Sequence, residues 1–473
     1  MKPGPSNIYQ PPLRLRAPER RIVMFSGDLV VSILALVIAL VLWSQSDFLN
    51  FSWEFLGTRI PLWFYLLPLL WLFLNLDLYD VRRAHRRRDT LGGILISTGL
   101  SVLLYLLVFF LSEPNSLPRR GVAIFIGAAA LLMLIWRLIY ISIFSQPAFL
   151  RRVLIVGAGK AGSRLAEVVA GLKPKPFLLV GLVDDDPDKL NLQIYGSPVL
   201  GNSNELEQIV AREQITDIVV AISGVMQPEM FSALLRCAEQ SVDITTMPVM
   251  YEELLGRVPI FLLQSDWLLR TFLDQARSRG FYEPAKRLMD IAVSLIGMLG
   301  FLLTYPIIAL AIFLETGTPI LYCQERMGRY GKNYMMYKYR TIVKDAEKNG
   351  IQVTVANDQR ITRVGQVLRK SHLDELPQFF NVLLGQMSMV GPRAERDELV
   401  QQLQEEVPFY RARLLVKPGL TGWAQVNFGY AATVEDTAIK LEYDLYYIKA
   451  RSLVLDIIII FRTIGNVLGL RGR

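Results

Sequence analysis

Asp374 and Glu375 stand side by side in His372-Leu373-Asp374-Glu375-Leu376-Pro377-Gln378, within a stretch rich in cations. Both carboxylates are ionised near neutrality. Upstream, Lys338-Tyr339-Arg340-Thr341 alternates as a strand does, which puts Lys338 and Arg340 on one face. Arg363, Arg369, Lys370 and then Gly391-Pro392-Arg393 add further positive charge. Carboxylates among cations suit an anionic, phosphorylated substrate bridged by a divalent metal. Phosphoryl transfer needs that arrangement, because charge spreads over the non-bridging oxygens and must be neutralised in place. Guanidinium forks grip phosphate oxygens in pairs, so Arg340 and Arg393 are the expected clamps. Lys338 adds a point charge, and Arg363 and Arg369 are further candidates. Adjacent helical residues point about 100° apart, so Asp374 and Glu375 should play unequal roles. His372 is either a proton shuttle or a structural residue. Thr421, Trp423 and Gln425, in Lys417-Pro418-Gly419-Leu420-Thr421-Gly422-Trp423-Ala424-Gln425, read as a turn shaping a nucleotide pocket, with Trp423 stacking on a base or anchoring at a membrane interface.

The metal is narrowed by what is missing. Two cysteines, Cys237 and Cys323, and two histidines, His85 and His372, exclude a disulfide framework, Cys-rich zinc modules and His-rich sites. Magnesium held by the oxygens of Asp374 or Glu375 is the expected ion.

These residues must be carried by a membrane protein. Hydrophobic residues make up 52% of the 473, and charged ones only 20%, against roughly 25% in soluble domains. The net charge of +8 fits an anionic membrane face, a phosphorylated substrate or nucleic acid. Segments Val23–Leu42, Ile60–Leu76, Leu91–Leu111 and Gly121–Phe144 are each about long enough to cross a bilayer. The N-terminal tail (Lys2, Arg14, Arg16, Arg20, Arg21), the Arg82–Arg88 loop and Arg151-Arg152 hold most of the cations. The opposite loops hold Arg59, Arg119 and Arg120, so both ends of this bundle should face the cytoplasm. At the end of a span, the Arg82–Arg88 run reads as topology and headgroup contact rather than as a nucleic-acid patch.

From Arg151 the texture becomes α/β. A strand at Val153–Val156 runs into Gly157-Ala-Gly159-Lys-Ala-Gly162 and a helix, as in dinucleotide-binding turns. Asp184 lies 22 residues past Gly162, where an acid meets a ribose hydroxyl. A bound nucleotide such as NAD and a ligand-free regulatory domain both remain open. A fifth apolar stretch, Ile291–Leu314, is interrupted at Thr304-Tyr305-Pro306 and has cations on both sides. Pro306 is the expected turning point of a re-entrant helix. Leu453–Leu470, cut by Asp456 and Arg462, reads as a helix lying on the membrane surface.

The expected architecture is thus an α-helical N-terminal bundle plus α/β. It comprises a cytoplasmic tail 1–21, a four-helix transmembrane bundle 22–148, a Rossmann-like domain 149–264, a linker 265–281 and a catalytic domain 282–473 whose re-entrant helix is 291–314.

From Tyr282 onward, Asp374-Glu375-Leu376-Pro377-Gln378, Gly391-Pro392-Arg393 and Pro418-Gly419-Leu420-Thr421-Gly422-Trp423-Ala424-Gln425 together resemble the polyprenyl-phosphate glycosyl-1-phosphate transferases. These are the bacterial sugar transferases that initiate exopolysaccharide and O-antigen units, and the four spans with a Rossmann-like domain resemble their large members. Ala394 stands where the family usually has a second proline, and Tyr339 and Thr341 stand where Phe and Ser are common. The resemblance implies transfer of a sugar 1-phosphate from a UDP-sugar to undecaprenyl phosphate, with release of UMP. It implies a covalent route with Asp374 as nucleophile and Glu375 orienting it or helping to hold magnesium. It also implies a bacterial inner-membrane enzyme facing the cytoplasm, in contact with lipid and with no nucleic-acid partner; assembly into homo-oligomers stays open. One rival reading is a membrane-bound NAD-dependent nucleotide-sugar epimerase or dehydratase, which needs a Tyr-x-x-x-Lys in the Gly-rich domain. Tyr334 to Lys338 has that spacing but lies far downstream. The other rival is a non-enzymatic, nucleotide-sensing membrane scaffold, which leaves the carboxylate–arginine cluster without a task.

Overall fold

A computed structural model describes residues 17–45, 50–80, 86–113, 117–144, 150–262, 280–343, 358–429 and 433–468. The chain divides into two compact units, Met1–Leu255 and Gly256–Arg473. The division falls before the expected boundary at 264, because Val258 and Ile260 belong to the core of the second unit. Most of the expected tail and linker lies outside the described residues.

Among the described residues, four helices are long and apolar enough to cross a membrane: Glu19–Ser44, Arg87–Leu111, Arg119–Phe144 and Tyr282–Thr316. The expected span Ile60–Leu76 is not one of them. It is a broken segment: a π turn Phe55–Arg59, a 3-10 turn Leu62–Leu66, a helix Leu67–Leu74 and a 3-10 turn Leu76–Tyr79. Two prolines account for the breaks. Pro61 is extended ahead of the 3-10 turn, and Pro68 sits in the first turn of the helix, where its missing N–H costs nothing. The segment packs inward through Phe64, Trp71 and Leu78 against Phe125, Ala129 and Met133 of the Arg119–Phe144 helix.

Polar groups pin this bundle. Arg137 donates to both oxygens of Asp28, at 3.2 and 2.6 Å, and to the carbonyl of Leu78 at 3.1 Å. The two side chains are fully buried. One guanidinium thus ties the first helix, the last helix and the broken segment together.

The rest of the first unit is a four-stranded parallel sheet. Leu178–Val183 is at one edge, followed by Arg152–Val156, Asp217–Val220 and Asp243–Thr246. Near-continuous apolar runs such as Val153–Val156 are what a strand covered on both faces requires. Helices Lys160–Gly171, Leu206–Arg212, Pro228–Glu239 and Met247–Leu255 connect and cover it. Arg151 and Arg152 serve this domain as ion-pair partners of Asp217, Glu253 and Glu213.

In the second unit, Tyr282–Thr316 is one helix of 35 residues, about 52 Å long at 1.5 Å per residue. The expected reversal at Thr304-Tyr305-Pro306 does not occur, since all three residues are helical. Proline inside a helix removes one N–H and bends the axis without ending it. Nearby, the Thr304 hydroxyl donates to the carbonyls of Gly300 and Phe301. Both ends of the helix are tied to the same unit. Lys286 pairs with Asp456 at 3.0 Å, and Asp290 accepts from the Ser388 hydroxyl and the Met389 N–H. At the far end, the Glu315 carboxylate accepts from the N–H groups of Arg363 and Val364. Between these ends Leu295, Ile296, Leu299, Leu302, Leu303 and Ile307 are exposed.

The remaining elements are an antiparallel hairpin, Leu321–Met327 with Asn333–Tyr339, and a parallel pair of short strands, Ser388–Val390 and Gly419–Thr421. Helices Arg363–Lys370, Gln378–Leu383, Asp397–Glu406, Val434–Ala450 and Leu453–Leu468 surround them. In the last helix Asp456, Ile459 and Arg462 are buried. The two charges that interrupt this apolar stretch therefore face the domain.

Asp28→Asn leaves a buried guanidinium without its counter-charge, a loss of about 3–5 kcal/mol. The purified variant should melt well below wild type in detergent. Asp28→Leu combined with Arg137→Met, which removes both charges, should recover most of the loss. A double variant as unstable as the single one would refute the pinning role.

Candidate active site

The carboxylate pair lies on a tight turn. Thr362 caps the Arg363–Lys370 helix by accepting from the Gly365 N–H at 2.9 Å. The helix ends at Ser371, and His372 takes a left-handed conformation (φ 58°) that turns the chain into the 3-10 turn Leu373–Glu375. His372 is exposed and belongs to the turn. Successive residues of a 3-10 turn point about 120° apart, so Asp374 and Glu375 meet different surroundings.

Glu375 is neutralised. Its Oε1 accepts from Lys338 Nζ and from Arg393 Nη2, each at 3.0 Å. Lys338 comes from the hairpin and Arg393 from the loop after strand Ser388–Val390, so three elements meet at one oxygen. Burial alone would raise the pKa of Glu375; Lys338 and Arg393 overcome it and hold the group far below the usual carboxylate range. Arg393 in turn holds its proton more tightly, chiefly because of Glu375. Its side chain is 42% exposed, so it can also reach a ligand.

Asp374 is different. It is 8% exposed, and its carboxylate takes no hydrogen bond from any described residue. Burial and then the neighbouring Glu375 charge raise its pKa, with Lys338, Arg369 and Arg393 opposing. The result is a largely buried carboxylate in a cationic field, without a fixed partner among the described residues. Arg369 is held by its Nε donating to the Thr341 hydroxyl at 2.9 Å.

Of the expected residues, the structure gathers Asp374, Glu375, Lys338, Arg369 and Arg393. Arg340 and Arg363 lie at the end of the long helix instead. Arg340 Nη2 donates to the Thr316 hydroxyl and the Gly317 carbonyl, both at 2.6 Å. Strand Asn333–Tyr339 has ended by then, so alternation no longer sets the direction of Arg340. Its Nε and Nη1 are buried without partners. Arg363 is exposed and tied through its backbone to Glu315.

The expected nucleotide pocket at Thr421, Trp423 and Gln425 needs correction. Trp423 is 2% exposed and donates to the Gly256 carbonyl at 2.7 Å. It lies against Tyr446 and beneath the Arg462 guanidinium, so neither face is free for a base. Thr421 is buried and shares a hydrogen bond with Thr463 at 2.6 Å, and Gln425 donates to the Leu420 carbonyl. Their segment holds the Arg393 loop: the N–H of Gly391 donates to Thr421, and that of Gly419 to Pro392, each at 2.9 Å. A Cβ on Gly391 would strike the Lys417 carbonyl, and one on Gly419 would strike the Gly391 nitrogen. Glycine here buys the backbone approach that sets Arg393 opposite Glu375.

Behind that loop is a buried network the motifs alone did not reveal. Arg413 donates to the Arg393 carbonyl at 3.0 Å, to Asp444 at 2.9 Å and to the Tyr410 hydroxyl at 2.8 Å. Glu395 pairs with Lys440 at 2.7 Å. Burial acts to raise the Glu395 pKa, but Lys440 and Arg413 bring it down to about 2. The run Glu442-Tyr443-Asp444 signals acids on an apolar helix, without naming partners distant in sequence.

In the first unit, Gly157 has φ +106°, and a Cβ on Gly162 would strike the Gly157 carbonyl. Asp184, expected at a ribose, instead accepts from the Ala158 N–H at 2.6 Å and from Lys189. It braces the Gly-rich loop. No Cβ clash constrains Gly159, whose surroundings are open.

Among the described residues no group of three or more His, Cys, Asp or Glu could hold a metal. Magnesium is commonly bound by one or two carboxylates plus substrate phosphates, and Asp374 and the unshared Glu375 oxygen are the carboxylate oxygens that would be available to it. Residues 281–469 match the bacterial sugar transferase family, and residues 75–248 match a CoA-binding domain. A UDP-glucose:undecaprenyl-phosphate glucose-1-phosphate transferase of Xanthomonas campestris pv. campestris is 31% identical over 340 residues, which are 69% of this chain and 68% of that protein. The chain belongs to the bacterial sugar transferases. A UDP-N-acetylgalactosamine-undecaprenyl-phosphate N-acetylgalactosaminephosphotransferase of Aeromonas hydrophila is 42% identical over 235 residues, covering 50% of this chain and 54% of that one. The exopolysaccharide production protein PSS of Rhizobium leguminosarum bv. phaseoli is 40% identical, over 39% of this chain and 94% of its own. The chain thus spans about half the length of the Aeromonas relative.

Glu395 is a group whose folded pKa is depressed, so its stabilisation is present above about pH 4.3, its unfolded range, and is lost as pH falls toward 2. The melting-temperature gap between wild type and Glu395→Gln should be widest near neutrality and close across that acid window. A gap that does not change with pH would refute this.

Proposed function

We propose that this sugar transferase moves a sugar 1-phosphate from a UDP-sugar to undecaprenyl phosphate, the first membrane step of exopolysaccharide or O-antigen assembly. One observation carries the reading: Glu375 is paired through one oxygen with Lys338 and Arg393, whereas Asp374 takes no hydrogen bond from described residues. A carboxylate oxygen of Asp374 attacks the sugar-bearing phosphorus of the donor. The bond from that phosphorus to the bridging oxygen breaks, and UMP leaves with the electron pair. An oxygen of the lipid phosphate then attacks the same phosphorus. The aspartyl oxygen departs, restoring the carboxylate and leaving a sugar-diphospho-lipid. No strong base is needed, since both nucleophiles are already anionic. Lys338, Arg369 and Arg393 neutralise the phosphoryl oxygens as charge builds. Asp374 and the unshared oxygen of Glu375 would hold a magnesium ion, which supplies further charge neutralisation. The names of the relatives support a UDP-hexose or UDP-N-acetylhexosamine donor.

The parallel sheet with its Gly-rich turn supports a Rossmann-like domain. With Asp184 occupied by the loop, we assign that domain a regulatory or structural role and no NAD chemistry. The same-side ties at both ends of Tyr282–Thr316 support a helix that enters the membrane without crossing it, with the carboxylate centre on the cytoplasmic face of the inner membrane.

Donor labelled in its sugar phosphate, without lipid acceptor but with magnesium, should label wild type on Asp374 and release UMP. Asp374→Asn should do neither, and Arg393→Ala should turn over roughly a hundredfold more slowly. Chelation should stop turnover and magnesium should restore it. An unlabelled protein that turns over once lipid is added would sink the two-step route. A Cys237→Ser protein retains exposed Cys323 on the hairpin. In spheroplasts this thiol should react with an impermeant maleimide only after the membrane is permeabilised, and ready reaction beforehand would place the domain outside.

A further inference from the structure

An open cavity on the second unit is lined by Arg287, Arg329, Lys417 and Arg451, with Lys286, Glu283 and Asp290 at its edges. None of the residues gathered at the carboxylate centre lines it. Its charges are unevenly satisfied. Lys286 is taken by Asp456, and Asp290 by Ser388 and Met389. Arg287 donates to the carbonyls of Val382 and Leu383, each at 2.7 Å, and Arg451 pairs with Glu283 at 3.4 Å. Lys417 has neither hydrogen bond nor ion pair among the described residues, and the Nε atoms of Arg329 and Arg451 are buried without partners. Burial, then Arg287 and further Arg329, weaken the hold of Lys417 on its proton despite Asp290. The five cations lining the cavity outnumber its two carboxylates, Glu283 and Asp290.

Position indicates where the counter-ion comes from. Arg287 lies in the opening turns of Tyr282–Thr316, and Arg451 lies two residues before Leu453–Leu468. On the first of these helices Leu288, next to Arg287, is exposed, and a run of exposed leucines and isoleucines continues from Leu295, about 12 Å along the axis from Arg287. Exposed apolar residues of that length belong in hydrocarbon. With exposed Leu288 beside Arg287, the cavity adjoins the start of that apolar surface, where a polar headgroup layer some 5–8 Å thick borders the hydrocarbon.

We propose that this cavity binds the phosphate of an anionic membrane lipid, with Lys417 and Arg329 as its main contacts, at a site separate from the carboxylate centre. The inference goes beyond the proposed activity and does not rest on it. Bound lipid would fix the depth of the long helix through Arg287 and so hold the domain against the membrane.

Full-length protein in a neutral detergent would be titrated with phosphatidylglycerol and followed by native mass spectrometry. Phosphatidylcholine and inorganic phosphate would serve as parallel arms. Wild type should bind phosphatidylglycerol saturably and in preference to both. Arg329→Gln combined with Lys417→Gln should bind about 30-fold more weakly, as expected for two lost cations at a membrane surface. Arg329→Lys combined with Lys417→Arg, which keeps both charges, should bind as wild type does. Equal lipid binding by the neutralised variant would overturn the site. So would loss of binding in the charge-conserving variant, or inorganic phosphate binding as tightly as the lipid. Asp374→Asn should bind lipid normally, so failure of the covalent mechanism and failure of this site are told apart.

Discussion

The site depends on one shared oxygen. Glu375 Oε1 receives both Lys338 and Arg393, so one of two adjacent carboxylates is neutralised by its own protein. Two bare carboxylates on one turn would repel each other and every phosphate brought near them. With Glu375 paired, the remaining imbalance falls on Asp374, whose negative charge lies near Arg369 and Arg393 without a bond to either. A carboxylate held in hydrogen bonds must break them before attacking phosphorus. Asp374 has none to break among the described residues. The same pairing fixes Lys338 and Arg393 in place, so their charges need no rearrangement when a phosphate arrives.

That convergence requires precise backbone, which explains where the surrounding glycines and buried charges lie. Arg393 can meet Glu375 only if its loop sits close on the Pro418–Gly422 segment, and side chains at Gly391 or Gly419 would push the two apart. Arg413 then holds the Arg393 carbonyl from behind while Asp444 balances its charge. Burying such a pair brings little net stability, whereas breaking it costs several kcal/mol. A network of this type therefore contributes mainly one defined position for the loop it supports. Trp423 serves the same end from the core, as packing for the segment and not as a ligand contact.

How much of this was legible beforehand follows a physical line. Asp374, Glu375, Lys338, Arg369 and Arg393 could be chosen by charge type and local spacing, because phosphoryl chemistry demands those groups close together. The strand–Gly-loop–helix at Arg152–Gly171 was legible because apolar runs and glycines act locally. Direction was not. Arg340 lies one residue past the strand, and that residue decides whether it faces the carboxylates or the end of the long helix. Asp184 has the right spacing for a ribose but spends its carboxylate on Ala158. Partners distant in sequence, such as Arg413 with Asp444 or Arg137 with Asp28, leave no local trace. The broken segment Phe55–Tyr79 shows the converse: its composition is that of a span, but Pro61 and Pro68 divide it.

The long helix shows why counting cations at its ends cannot settle its topology. Lys286 and Arg287 look like a cluster that should stay on the cytoplasmic side. Yet Lys286 is buried against Asp456, and Arg287 caps the carbonyls of Val382 and Leu383. A cation that has found its counter-charge inside the protein exerts little pull toward an anionic membrane face. The firmer constraint is mechanical. Asp290 and Glu315, near opposite ends of the helix, both accept backbone hydrogen bonds from the same folded unit. A helix crossing a bilayer about 30 Å thick would separate those ends by the full hydrocarbon layer. Keeping both sets of bonds is the support for the helix proposed above, one that enters the membrane without crossing it. Its inner face, through Phe301 and Tyr305 against Tyr339, stays on the hairpin that carries Lys338, while its leucines on the other side are exposed. The exposed apolar surface and the strand that sets Lys338 against Glu375 are thus two faces of one packed layer.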